Sequence, residues 1–218
     1  MPMSNRAPLA IGKPLLFLAL ALPALWLVWQ WLAFAAGAPH HLGFNPQETS
    51  NRFSGLWALR CLLLTLALRP FSQAIGRPWP LALRRMTGLY AFAYALMHLS
   101  SYLGLDLLFD WKTFTRDLLE RPYIGFGMAT LALLLPLALT STRRAVRRLG
   151  ARRWLALHRL VYIAGILAVS HFLLLAKGDL REAQIYAALI AGLLLLRIPR
   201  RYFLRDIRGQ RAQGPANG

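Results

Sequence analysis

The chain has 218 residues, 57% of them apolar and 16% charged, with a mean hydropathy of +0.43. A soluble domain carries about 45–50% apolar and about 25% charged residues, so the composition excludes a water-soluble globule and indicates an integral membrane protein. The net charge of +18 comes without any motif that reads nucleic acid. The basic segments are therefore read as contacts to membrane lipid, with no nucleic-acid partner.

Six apolar segments predict membrane-spanning helices: 14–36, 55–69, 86–104, 123–140, 160–176 and 183–198. A span needs about 20 apolar residues to cross roughly 30 Å of hydrocarbon. Lipid cannot satisfy free backbone groups, so each span is expected to be helical. Ahead of the first span lies a short N-terminal segment, 1–13. The apolar stretch from Ile11 to Ala36 exceeds the roughly 7–15 residues of a signal core, so it reads as a retained anchor.

Between the first two spans, HHLGFNPQETSNRFSG (40–55) reads as a polar loop with an Asn-Pro turn. Its histidines, His40 and His41, are expected to be surface residues. The second span is short and contains Arg60, which either snorkels or meets an acidic group near one leaflet. It also contains Cys61, the only cysteine, so an intrachain disulfide and a CxxCH haem attachment are both excluded. The loop RPFSQAIGRPWPLALRR (69–85) offers Arg77, Trp79, Arg84 and Arg85. DLLFDWKTFTRDLLERP (106–122) is amphipathic and is expected on the membrane surface through Leu107, Phe109, Trp111 and Phe114. STRRAVRRLGARRWLALHR (141–159) is a connector with seven arginines. The basic tail 199–218 ends in a Gly/Ala/Gln/Pro stretch expected to be disordered.

Threading six spans places 19 Lys/Arg in segments 1–13, 69–85, 141–159 and 197–218. The opposite side receives six Lys/Arg and seven of the eight acids. This asymmetry predicts cytoplasmic N- and C-termini. The expected architecture is an all-α, six-helix transmembrane bundle: a cytoplasmic N-terminus 1–13, one transmembrane domain 14–198 and a cytoplasmic tail 199–218.

Three histidines lie at membrane depth: His98, His158 and His171. Ionisable groups inside a membrane are functional candidates by default, and no intramembrane acid accompanies them to form a proton relay. His171 lies 13 residues, or about 20 Å, beyond His158. His98 lies 14 residues after Arg84, on nearly the same helix face and about 21 Å away. His98 is thus level with His171, and Arg84 with His158. Two facing imidazoles suit a six-coordinate haem iron, whereas zinc normally wants three or four protein ligands. Thirteen residues turn a straight helix by about 220°, so His158 and His171 cannot both point one way along such a helix.

The stretches LGFNPQETSNRFSGLWAL (42–59), RRMTGLYAFAYALMHLSSY (84–102), RPYIGFGMATLALLLPLALTS (121–141) and RRLGARRWLALHRLVYIAGILAVSHF (147–172) resemble the MsrQ (YedZ) family. That family provides the haem-binding membrane subunit of the bacterial protein-methionine-sulfoxide reductase system, within the ferric-reductase-like transmembrane superfamily. The superfamily places four histidines on two helices. This chain has His98, His158 and His171, with Arg84 where the fourth would stand. The resemblance implies haem b, one or two groups, with the three histidines as axial iron ligands and Arg84 at the inner cofactor. It also implies FMN, with the quinone pool or a cytoplasmic flavin reductase as electron donor. The implied partner is a periplasmic molybdopterin enzyme that reduces methionine sulfoxide in damaged proteins, and the implied location is the bacterial inner membrane. No catalytic residue of its own is expected. The rival reading is a self-contained transmembrane ferric or metal reductase.

Overall fold

A computed structural model describes residues 6–176 and 178–197. Among them every regular element is helical. In chain order these are α1 (Arg6–Ala35), α2 (Pro46–Ala74), a 3-10 turn (Trp79–Leu83), α3 (Arg84–Ser101) with a π turn (Tyr102–Asp106), α4 (Trp111–Glu120), α5 (Pro122–Leu139), α6 (Arg143–Leu149), α7 (Ala151–His158), α8 (Leu160–Leu175) and α9 (Arg181–Leu195). Residues Leu9–Ala35, Pro46–Ala74, Pro122–Leu139 and Ala151–Leu175 are long and apolar enough to cross a membrane. A fifth candidate is the pair Trp79–Asp106 and Trp111–Glu120, bent by 120°. The protein is a multi-pass membrane protein. The expected disordered tail lies outside the described residues.

The second helix departs most from the sequence expectation. It starts at Pro46, inside what reads as a loop, and runs 29 residues. The Asn45 side chain accepts from the Glu48 amide and donates to the Glu48 carboxylate, each at 3.1 Å. Proline at the first helical position costs nothing there, because its missing N–H has no intrahelical partner. The Asn-Pro pair is a helix start, not a turn.

Helix ends sort by charge. At the acid-bearing end, Arg52 pairs with Glu182 at 3.0 Å, and the Asn51 amide donates to Asp106 at 2.9 Å. The Trp31 indole donates to Ser50 at 2.8 Å at the same end. At the arginine-rich end, the Trp154 indole donates to the Thr140 carbonyl at 3.0 Å, tying α7 to the end of α5. The most extensive packing joins α2 to α3 and α5 to α8. Buried between α2 and α3, the Thr65 hydroxyl donates to that of Thr87 at 2.8 Å.

Helix α1 turns Leu15, Leu18, Leu22, Leu25 and Trp29 outward, as a lipid-facing helix does. Its attachment to α3 is polar. The Tyr94 hydroxyl donates to the Leu20 carbonyl at 2.7 Å and accepts from the Ala24 amide at 3.1 Å. An unbroken helix would join those two groups directly. Pro23 lacks the N–H that would reach the Ala19 carbonyl and its ring crowds that turn, so the ladder is weakened there and the phenol braces the adjacent Leu20–Ala24 step. One turn earlier, the Tyr90 hydroxyl donates to the Phe17 carbonyl at 3.0 Å.

Helix α4 is amphipathic, with Asp110 capping the Lys112 and Thr113 amides. The hydrogen bond from the Thr113 hydroxyl holds the Asp110 carboxyl below its ordinary pKa. Apolar residues of this region divide between the outer surface and the packing against the bundle. Leu108, Phe109, Trp111 and Leu119 are exposed, while Leu107 and Phe114 are half-buried. The cause is a reversal at Leu108 and Phe109, whose φ angles of 48° and 61° swing the chain into α4.

Candidate haem-ligand site

His98 on α3 and His171 on α8 meet. Their ring centroids are 6.0 Å apart and their planes cross at 80°. The matched depths inferred from residue spacing are therefore realised in space for this pair.

Each imidazole is seated by the helix beside it, and the two seats repeat one device. His98 Nδ1 lies 2.9 Å from the Asn51 carbonyl on α2, and His171 Nδ1 lies 2.6 Å from the Tyr123 carbonyl on α5. A carbonyl only accepts, so each Nδ1 must carry the proton and each Nε2 keeps a free lone pair. Four residues after each carbonyl stands a glycine, Gly55 or Gly127. A Cβ at Gly55 would meet His98 Nδ1 at 3.0 Å, and one at Gly127 would meet His171 Nδ1 at 3.0 Å. Only a residue without a side chain leaves room for the ring at that carbonyl.

The donor set fits an iron held by a macrocycle. A metal–imidazole bond is about 2 Å and the ring centre lies about 1 Å beyond the nitrogen, so two coaxial imidazoles on one ion stand about 6 Å apart. Among the described residues no group of three or more His, Cys, Asp or Glu could hold a metal ion. Two imidazoles alone leave four coordination positions to a ligand such as a porphyrin. Ser101, one turn beyond His98, is buried with its hydroxyl unpartnered.

The second level is built differently. His158 ends α7, stacks on Trp154 at 3.8 Å and directs Nδ1 to the Trp154 carbonyl at 3.1 Å. Its Nε2 is buried and makes no hydrogen bond of ordinary geometry, although the Leu137 carbonyl lies close enough to act on the ring, and Nε of Arg84 is buried without a partner. His158 and Arg84 lie within electrostatic range of each other. The helix tightens at Arg159, between His158 and His171, with the residue still in right-handed helical geometry. There the Arg159 amide donates to Ala156 and the Tyr162 amide to Arg159, both steps of three residues. These tighter steps wind the helix by more than about 100° per residue, so they reduce the mismatch expected over thirteen residues of straight helix without abolishing it.

Other candidates make local contacts. Arg60 donates to the Tyr186 hydroxyl at 2.9 Å and lies over the Trp57 ring at 5.2 Å. His40 Nδ1 accepts from the Leu42 amide, and the His41 amide donates to Gln30. Arg85 lines an open cleft of about 460 Å³ with Lys13, Phe17, Met86, Leu89 and Tyr90. Sequence reasoning passed over Gly55, Gly127, Trp154 and Arg197. The shared spacing of carbonyl and glycine on two helices was the available signal for the first two.

A helical membrane bundle with an intramembrane histidine pair on two of its helices defines a ferric-reductase-like protein. Consistently, the family described as ferric reductase like transmembrane component matches residues 54–169. The protein-methionine-sulfoxide reductase heme-binding subunit MsrQ of Rhodospirillum rubrum is 48% identical over 188 residues, covering 86% of this chain and 88% of that one. The subunit of the same name from Xanthomonas euvesicatoria is 43% identical, with 94% and 93% covered. That from Caulobacter vibrioides is also 43% identical, with 84% and 85% covered. The chain belongs to the MsrQ family.

Proposed function

We propose that this protein is a haem b electron-transfer subunit. It takes electrons from the quinone pool, directly or through FMN, and passes them across the bacterial inner membrane. The acceptor is a periplasmic molybdopterin enzyme that reduces methionine sulfoxide in oxidised proteins. The observation that carries this reading is the seated pair His98 and His171, with two free Nε2 lone pairs and centroids 6.0 Å apart. These two residues hold the outer haem, and His158 with Arg84 serves the inner one. Haem supplies a one-electron carrier at each level. The chain's own residues fix the imidazole tautomers, exclude water and set the spacing of the two levels. The names of the relatives support the assignment to a methionine-sulfoxide reductase system.

Six spans with cytoplasmic termini follow from the charge asymmetry. The outer face then carries the acid-bearing end and the exposed Phe109 and Trp111 of the α4 region, suited to docking by aromatic anchors. The inner face carries the cleft with Lys13 and Arg85, where a flavin or quinone can approach. The decisive experiment follows haem absorbance by stopped flow after chemical reduction. Reoxidation should require both the periplasmic reductase and methionine sulfoxide. Equal rates without the partner enzyme would reject the donor role and favour a self-contained metal reductase. Reporter fusions after residues 46, 112 and 180 should read outside, and those after 77, 147 and 210 inside.

A further inference from the structure

Four described side chains have a buried polar atom without a hydrogen-bond partner, and three of them belong to the arginine-rich end: Arg84 Nε, His158 Nε2 and Arg197 Nε. Arg197 follows α9 and reaches back into the bundle. It donates to the Leu66 carbonyl of α2 at 2.5 Å and to the Tyr162 hydroxyl of α8. Tyr162 is one turn beyond His158. Leu66 follows Thr65, whose hydroxyl meets Thr87, one turn beyond Arg84. The three unpartnered nitrogens therefore converge from α3, α7 and the end of α9 around one turn of α2. Arg197 and Arg69 each lie within electrostatic range of Arg84.

Nothing described there balances this charge. All seven described carboxylates belong to the loops and helix ends of the opposite face, as the contacts of Asp106 and Glu182 show. Neutral acceptors such as Leu66 and Tyr162 satisfy single donors but leave a buried guanidinium charge uncompensated, which is costly in low dielectric. Two guanidiniums with free N–H groups match an oxyanion better than a halide, because their planar forks engage two oxygens at once.

We propose that Arg197 and Arg84 clamp an anionic oxygen group, carboxylate or phosphate, borne by an apolar ligand seated against His158. One source is the carboxylate of a tetrapyrrole side chain, and this arm rests on the inner-haem reading. The other is the phosphate of an acidic phospholipid, which does not. The last helix thus completes the inner site through a residue that the histidine pattern does not mark.

The test uses full-length protein purified from membranes with its own haem, as wild type, Arg197→Gln, Arg197→Lys and Asp206→Asn. Spectroelectrochemistry reads each haem, and native mass spectrometry reads retained phospholipid. With a haem carboxylate as ligand, Arg197→Gln lowers the inner haem's reduction potential or its occupancy severalfold, since a lost cation disfavours the added electron. Arg197→Lys recovers most of either effect, and the outer haem's unchanged spectrum certifies the fold. With phospholipid as ligand, Arg197→Gln loses a one-to-one acidic lipid while both haem signals hold. If neither signal moves, the clamp does not exist. If Asp206→Asn reproduces the Arg197→Gln phenotype, the tail carboxylate is the counter-ion and the proposal falls. A wild-type protein with a single haem would remove the inner-haem reading alone, leaving the lipid arm to decide the clamp.

Discussion

The two histidine levels of the bundle are built on opposite principles. At the acid-bearing end, His98 and His171 arrive with every requirement met by backbone: a carbonyl for each Nδ1 and a glycine to make room for each ring. At the arginine-rich end, His158 leans on an indole, and the surrounding donors are charged and unpartnered. The first pair is preorganised by the fold, because neutral imidazoles satisfied at one nitrogen cost little to bury. The second, on the reading proposed above, would need a ligand that supplies charge as well as coordination. On that reading, occupancy of the first level should be insensitive to ionic surroundings and that of the second dependent on them.

The largest expected effect breaks the first level outright. His98→Ala and His171→Ala should each abolish the outer haem and leave the same residual spectrum, because either loss empties one shared iron site. His158→Ala should leave the complementary spectrum. Different residual spectra from His98→Ala and His171→Ala would show that the two rings do not share an iron.

A smaller change sharpens the comparison. Gly55→Ala or Gly127→Ala places a methyl 3.0 Å from the ring nitrogen, closer than packed atoms tolerate, so the imidazole must shift off its carbonyl. Outer-haem occupancy should fall severalfold, with altered low-spin signals in electron paramagnetic resonance, while the inner haem keeps its spectrum. An unchanged outer signal in both variants would show that the seats do not constrain the rings.

Smaller still is Tyr94→Phe, which removes the hydroxyl that bonds both the Leu20 carbonyl and the Ala24 amide of α1. Thermal unfolding should report a loss of about 1–3 kcal/mol with both haems retained. Arg60→Ala should cost about 0.5 kcal/mol or less, because its partners Tyr186 and Trp57 are reached from an exposed position and such contacts contribute little.

The sequence made the helical class legible through composition, and His98 and His171 through equal depth in two apolar segments. Apolar runs locate helices because burial in lipid selects for them over whole turns. The start of α2 was hidden because polarity marks loops and helix caps alike, and only the Asn45–Glu48 reciprocity separates them. The tightening at Arg159 left no Pro or Gly to announce it. Gly55 and Gly127 read as ordinary small residues until a ring from another helix is placed against them. Arg197 was assigned to the basic edge of a span, since nothing in a linear pattern shows that a side chain turns back into the bundle.

The pinning of α1 has a consequence in time. Its Leu20 carbonyl and Ala24 amide meet a hydroxyl that lies 74 and 70 residues further along the chain. A helix entering the bilayer from the ribosome therefore carries a proline-weakened turn without its phenol brace until α3 has been synthesised and inserted. During that interval the weakened turn must hold by its own helical bonds or borrow water, lipid head groups or the insertion machinery. The first helix made is thus among the last to be secured, and its docking waits on the helix that carries His98.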